Sequence, residues 1–212
     1  MKIASAFTLA VGLLAATGNV ARAQFRKSYF VATKPGAWSR YSVSYGGPST
    51  MEYTYRRLPD EKGSPRIEFT MEFKSGQAKG KQFVYVSWFK PGFPIEKDAL
   101  SYGNWITAMT TQQGKNKPRQ TPASELAATV ATMANYASIA RYVDSAVVDG
   151  KTSDHYRYEW APPAKPPRVE SGNLWLNETV PFGIVKSDMT IKNKAGQTVS
   201  TMQTKLVASG EK

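Results

Sequence analysis

The stretch Arg66 to Lys74 reads RIEFTMEFK, with Ile67, Phe69, Met71 and Phe73 apolar and Arg66, Glu68, Thr70, Glu72 and Lys74 polar. Successive side chains of a strand point to opposite sides, so this alternation fits an extended segment with one face on a core and the other in water. The same period governs much of the chain. Tyr41, Val43 and Tyr45 alternate with Arg40, Ser42 and Ser44, and after the Gly46-Gly47-Pro48 break Met51, Tyr53 and Tyr55 alternate with Glu52, Thr54 and Arg56. These two runs predict a hairpin. In Gln82 to Lys90 both faces are apolar, Phe83, Tyr85 and Phe89 on one and Val84, Val86 and Trp88 on the other. That strand is expected to be covered on both sides.

The alternation stops between Pro91 and Arg119. Ile95, Ala99, Tyr102, Ile106 and Met109 recur there at steps of four, three, four and three, which predicts a helix broken at Gly103 and Asn104. Gly114 to Arg119 reads as a basic loop. A second helix is signalled by Thr121 as cap, Pro122 at the first helical position and Glu125 in the first turn, with Leu126, Val130, Met133 and Ala137 as its apolar stripe. Strands then return. Ala140 to Val148 and Thr152 to Trp160 flank Asp149-Gly150, a strong two-residue hairpin signal. A proline-rich excursion, Pro162 to Pro167, precedes GNLWLNETVPFGIVK at Gly172 to Lys186, and Val185 to Asn193 and Thr198 to Val207 form a last hairpin. About nine strands, mostly consecutive, with helices inserted after the fourth, make an α+β antiparallel fold rather than a βαβ repeat.

The first 23 residues read as a secretory signal. Lys2 supplies the positive start, Ile3 to Ala16 the uncharged apolar run, and Ala21-Arg22-Ala23 the cleavage site, so the predicted cut follows Ala23. Residues 24–212 then form a single domain in the periplasm or outside the cell, with no stable transmembrane insertion expected. Without Lys2 and Arg22 the basic residues fall from 28 to 26 against 16 acidic ones. That balance favours anionic envelope components as neighbours. No nucleic-acid-binding pattern accompanies it, so nucleic acid is not expected as a partner. With no cysteine, the fold must rest on its core in an oxidising compartment.

Chemistry is sparsely represented. His155 is the only histidine, no G-x-S-x-G elbow exists, and one histidine without cysteine makes a poor metal site. Glu68 and Glu72, paired carboxylates by spacing, fall on the solvent face of a strand. No catalytic residue, metal or cofactor is expected, and the chain is not expected to be an enzyme. The aromatic residues are more informative. Phe69, Phe73, Phe83, Tyr85, Trp88, Tyr158, Trp160 and Trp175, with Met71, Met109 and Met133, are the candidate lining of an apolar cavity between sheet and helices. Aromatics at period two equally fill an ordinary core, and the same residues serve both readings.

Trp175 to Lys186, a tryptophan-initiated strand followed by a V-P-F-G corner and a further strand, resembles the C-terminal half of the LolA/LolB-like lipoprotein-carrier fold family, in its uncharacterised exported bacterial branch. The hairpin Val148 to Tyr158 and the Gly36-Ala37-Trp38 entry into the first strand fit the same pattern. The resemblance implies an antiparallel half-barrel of about nine to eleven strands with two or three helices across its concave side. It also implies a periplasmic binding or carrier protein for a hydrophobic, acyl-chain ligand such as a lipid or lipoprotein. The alternative is a ligand-free envelope module that docks a partner protein through its sheet edge or basic face.

Overall fold

The computed structural model describes residues 34–47, 49–91, 106–129, 139–161 and 167–211. The strands are β1 (Trp38–Tyr45), β2 (Thr50–Glu61), β3 (Ser64–Phe73), β4 (Gln82–Phe89), β5 (Ile106–Gln113), β6 (Arg119–Gln120), β7 (Arg141–Val148), β8 (Lys151–Trp160), β9 (Arg168–Leu176), β10 (Ile184–Asn193) and β11 (Thr198–Gly210). They form one antiparallel sheet in the order β6-β5-β4-β3-β2-β1-β11-β10-β9-β8-β7. Two meanders are thus joined where the first strand pairs with the last. Among the described residues β6 and β7 do not pair, so the sheet stays open with these two strands at its opposite edges.

Alternation decides which face is covered. Tyr41, Tyr53, Met71 and Phe83 stand directly opposite one another on four successive strands, as do Tyr55, Phe69 and Tyr85. All are buried. The other meander continues the same face with Met202, Met189, Gly172 and Tyr158 in one row and Thr204, Ser187, Leu174 and Tyr156 in another. Across the two meanders this face carries the core, while charges such as Glu68 and Glu72 lie on the opposite face, paired with Arg56 and Lys74. The second face of β4 is half-buried at Val84, Val86 and Trp88, so its covering is partial.

The helical expectation is corrected in three places. Among the described residues helix is present at residues 123–129 (α1) and at residue 139, fewer than the two or three helices expected; Ile95, Ala99, Tyr102, Val130, Met133 and Ala137 lie outside the described residues. Ile106 and Met109 belong to strand β5. A bulge opposite Trp88 and Phe89 adds Thr107 to that strand, so Ile106 pairs with Phe89 and Met109 with Ser87. An extra residue in a strand brings positions three apart onto one face, which imitates helical spacing. Arg119, read as loop, pairs with Thr111. Thr121 does not cap α1: its N–H donates to the Met109 carbonyl at 2.8 Å and its side chain is buried beside Thr111. The helix begins with Pro122, whose carbonyl accepts the Leu126 N–H at 2.9 Å.

The V-P-F-G corner joins β9 to β10 and closes one end of the core. Phe182 has φ 64° and Gly183 φ 76°, a left-handed pair that lets the Gly183 N–H reach the Val180 carbonyl and its own carbonyl accept from Asn177. Phe182 is buried against Tyr55, ring centroids 5.3 Å apart, and Ser39 Oγ donates to the Pro181 carbonyl at 2.6 Å. Left-handed backbone at a bulky residue is costly. Burial of the ring and the Ser39 bond offset that cost.

Candidate functional site

The covered face is the surface on which the predicted lining residues converge. Phe69, Met71, Phe73, Phe83, Tyr85, Met109 and Tyr158 are buried together in one apolar cluster, with Trp160 packed against it. Their rings form a continuous array: Tyr41 stacks on Tyr53 at 4.8 Å, Tyr53 and Tyr55 meet Phe69 at 5.4 and 4.9 Å, and Phe69 meets Tyr85 at 6.0 Å. Leu126 and Ile139 pack against the cluster and Ala140 is buried in it. Met133 lies outside the described residues.

Two tryptophans stand elsewhere. Trp88 pairs with Arg66 across β3 and β4, and its Nε1–H donates to Glu61 at 2.9 Å, which places it on the face away from the core. Trp175 alternates with the buried Leu174 and Leu176; on the outer face it stacks on His155 at 4.8 Å and lies under the Lys186 ammonium at the same distance. Neither shares the lining of the core face, and strand parity is the reason in both cases.

A polar inlay sits within the apolar array. The hydroxyls of Tyr41, Tyr53, Ser187 and Thr204 are buried and make no hydrogen bond among the described residues. Ser187 and Thr204 are directly opposed across β10 and β11, as Tyr41 and Tyr53 are across β1 and β2. Burial pushes the Tyr41 phenol well above its ordinary range, with the Ser39 side chain opposing. Burial, reinforced by Tyr41, raises Tyr53 as well, with the Thr204 side chain opposing. Tyr158 is raised by burial and by the Glu170 and Asp188 charges. Sequence reasoning named Tyr158 alone of these as lining, because Ser187 and Thr204 occupy inward positions that carry no apolar signal.

At the β7 edge a cavity of about 400 Å³ is lined by Ile139, Arg141, Val143, Arg157, Tyr158 and Glu159. Of these only Tyr158 was anticipated. On the outer face His155 is enclosed: Nδ1 lies 3.0 Å from Asp144 Oδ1 and Nε2 2.9 Å from Asn173 Oδ1, while the Asn173 amide donates to Asp188 at 2.8 Å. This network ties four strands together. Among the described residues no group of three or more His, Cys, Asp or Glu side chains could hold a metal ion, and no helix is long and apolar enough to cross a membrane.

No family model matches the chain, and no curated protein does. Among solved structures it is similar to a hypothetical protein of Chlamydia trachomatis, at 14% identity and a TM-score of 0.45 over 85% of this chain and 90% of that one. A DUF1329 family protein of Desulfovibrio piger is similar at 13% identity and a TM-score of 0.32, over 85% and 87%. A domain of Vibrio parahaemolyticus assigned by inference to outer membrane lipoprotein sorting is similar at 7% identity and a TM-score of 0.31, over 83% and 85%.

Proposed function

We propose that this chain is an exported binding or carrier protein for an acyl-chain ligand such as a lipid or lipoprotein, taken up at the core face of the sheet. The observation that carries the reading is the face itself: an open eleven-stranded sheet lined by Phe69, Met71, Phe73, Phe83, Tyr85 and Tyr158, with Leu126 and Ile139 packed against it. Aromatic and methionine side chains adapt to a flexible hydrocarbon chain. The hydroxyl inlay of Tyr41, Tyr53, Ser187 and Thr204 suits the ester or acid group of such a ligand, since a buried hydroxyl left without a partner costs roughly 1–3 kcal/mol. The sequence resemblance to the lipoprotein-carrier fold, the signal-like first 23 residues and the basic balance support the same reading. The test is native mass spectrometry of delipidated protein after exposure to a bacterial lipid extract. Retained lipid is expected; repeated failure under conditions where a known carrier retains it overturns the proposal.

A second reading, docking of a partner protein through the sheet edge, is favoured by β7. Val143 and Val147 of this edge strand are 45% and 73% exposed, and an exposed edge is a template for strand addition. Pull-down of a defined envelope partner by lipid-free protein, lost in Val147→Lys, supports it; capture unaffected by that change counts against it.

A further inference from the structure

Strands β7 and β8 bring two like charges face to face at the sheet edge. Arg141 and Arg157 stand directly opposite each other on β7 and β8. The two-residue turn at Asp149-Gly150 alone would set Arg141 against Tyr158. A bulge between Tyr142 and Asp144 shifts the register by one and puts the two arginines face to face. Like charges directly opposed across strands are destabilising. Of the six other described arginines, Arg56, Arg57, Arg66, Arg119 and Arg168 each pair with a carboxylate and Arg40 is exposed. Among the described residues Arg141 and Arg157 form no such pair, although Glu159 lines the same cavity.

The surroundings specify what would satisfy them. Arg141 and Arg157 line the cavity of about 400 Å³ whose other walls include Ile139, Val143 and Tyr158, a volume within the usual range of small-molecule sites. Two positive charges beside one carboxylate leave the lining net cationic. Arginine presents a planar fork of donors that matches a carboxylate or phosphate in two-point contact. Tyr158 belongs both to this cavity and to the apolar cluster of the core face, so the cavity adjoins that cluster at the sheet edge.

We propose that the cavity at the β7 edge is an anion-selective headgroup site, in which Arg141 and Arg157 together hold the carboxylate or phosphate of an acyl-chain amphiphile. The proposal rests on the acyl-binding reading above and adds the chemistry of the ligand's polar end.

The experiment is calorimetric titration of the full mature chain, below micelle-forming concentrations, with three probes sharing one alkyl chain: dodecanoate, dodecyl phosphate and the neutral dodecyl maltoside. Anionic probes are expected to bind about ten-fold or more tightly than the maltoside, and Arg141→Gln with Arg157→Gln to abolish that preference. Which anion binds better separates a fatty-acid from a phospholipid source. Arg141→Lys with Arg157→Lys keeps the charge without the fork and should fall between. Arg40→Gln, an exposed position on β1, should behave as wild type. Equal binding of charged and neutral probes, or a preference that survives in the double glutamine variant, overturns the headgroup site while leaving acyl binding intact. Failure of all three probes overturns both.

Discussion

Gly172 is the residue whose identity the packing constrains most tightly. It sits in the core-face row between Met189 and Tyr158, and a Cβ there would lie 2.0 Å from the Asp188 carbonyl oxygen and 2.8 Å from the Tyr158 hydroxyl. The near contact is backbone, so no side chain can turn away to relieve it. Gly172→Ala is expected to destabilise the fold by about 2–3 kcal/mol, in the range of overpacked cores, and urea unfolding followed by circular dichroism measures it. A variant as stable as wild type would mean that β9 and β10 are less closely apposed. Phe182 illustrates the opposite compromise: a bulky residue accepts φ 64° because its ring is needed against Tyr55. Nothing in its local sequence announces that position; the ring's partner is 127 residues away in the chain.

At the scale of elements, turns were the most legible part and bulges the least. Asp149 and Gly150 have φ 48° and 75°, the two positive values that a twisted two-residue hairpin requires, and a local dipeptide suffices to announce it. No atom lies within 4 Å of a Cβ built on Gly150, so Gly150→Val tests conformation without a clash. A cost of about 1–2 kcal/mol is expected. Because β7 pairs only with β8 among the described strands, the loss should appear as faster amide hydrogen exchange confined to Arg141–Val148; unchanged exchange there would show that the connection from α1 holds β7 as firmly as the turn does. The bulges at Thr107 and Val143 carry no comparable signal. One disguised a strand as a helix, and the other created the arginine pair, since both depend on a partner strand to define what is extra.

For the whole molecule, the unusual property is the number of tyrosines confined to the covered face. Burial pushes Tyr45 up to about 12 and raises Tyr41, Tyr53, Tyr85 and Tyr158, whereas an unfolded tyrosine ionises near 10. Below pH ~10 these phenols are protonated in both states, and their effect on stability does not vary. Between pH ~10 and ~12 the unfolded chain sheds protons that the folded chain keeps, so stability falls as pH rises. Alkaline titration followed by phenolate absorbance and circular dichroism should show the ionisation of these tyrosines coinciding with unfolding. Phenolate formation by all 11 tyrosines near pH 10 with the fold intact would contradict the burial of this face.

Strand positions, hairpins and the antiparallel order were determined by the sequence itself, because period-two alternation and turn residues act over a few positions and the backbone reads them locally. The core-face members Phe69, Met71, Phe73, Phe83, Tyr85 and Tyr158 followed from that parity. The tertiary structure alone decided that the first strand closes on the last and that Ser187 and Thr204 join the lining. It also decided that Arg141 meets Arg157. Each of these depends on register between strands distant in the chain or on one extra residue in a pair, and a single-strand pattern contains neither.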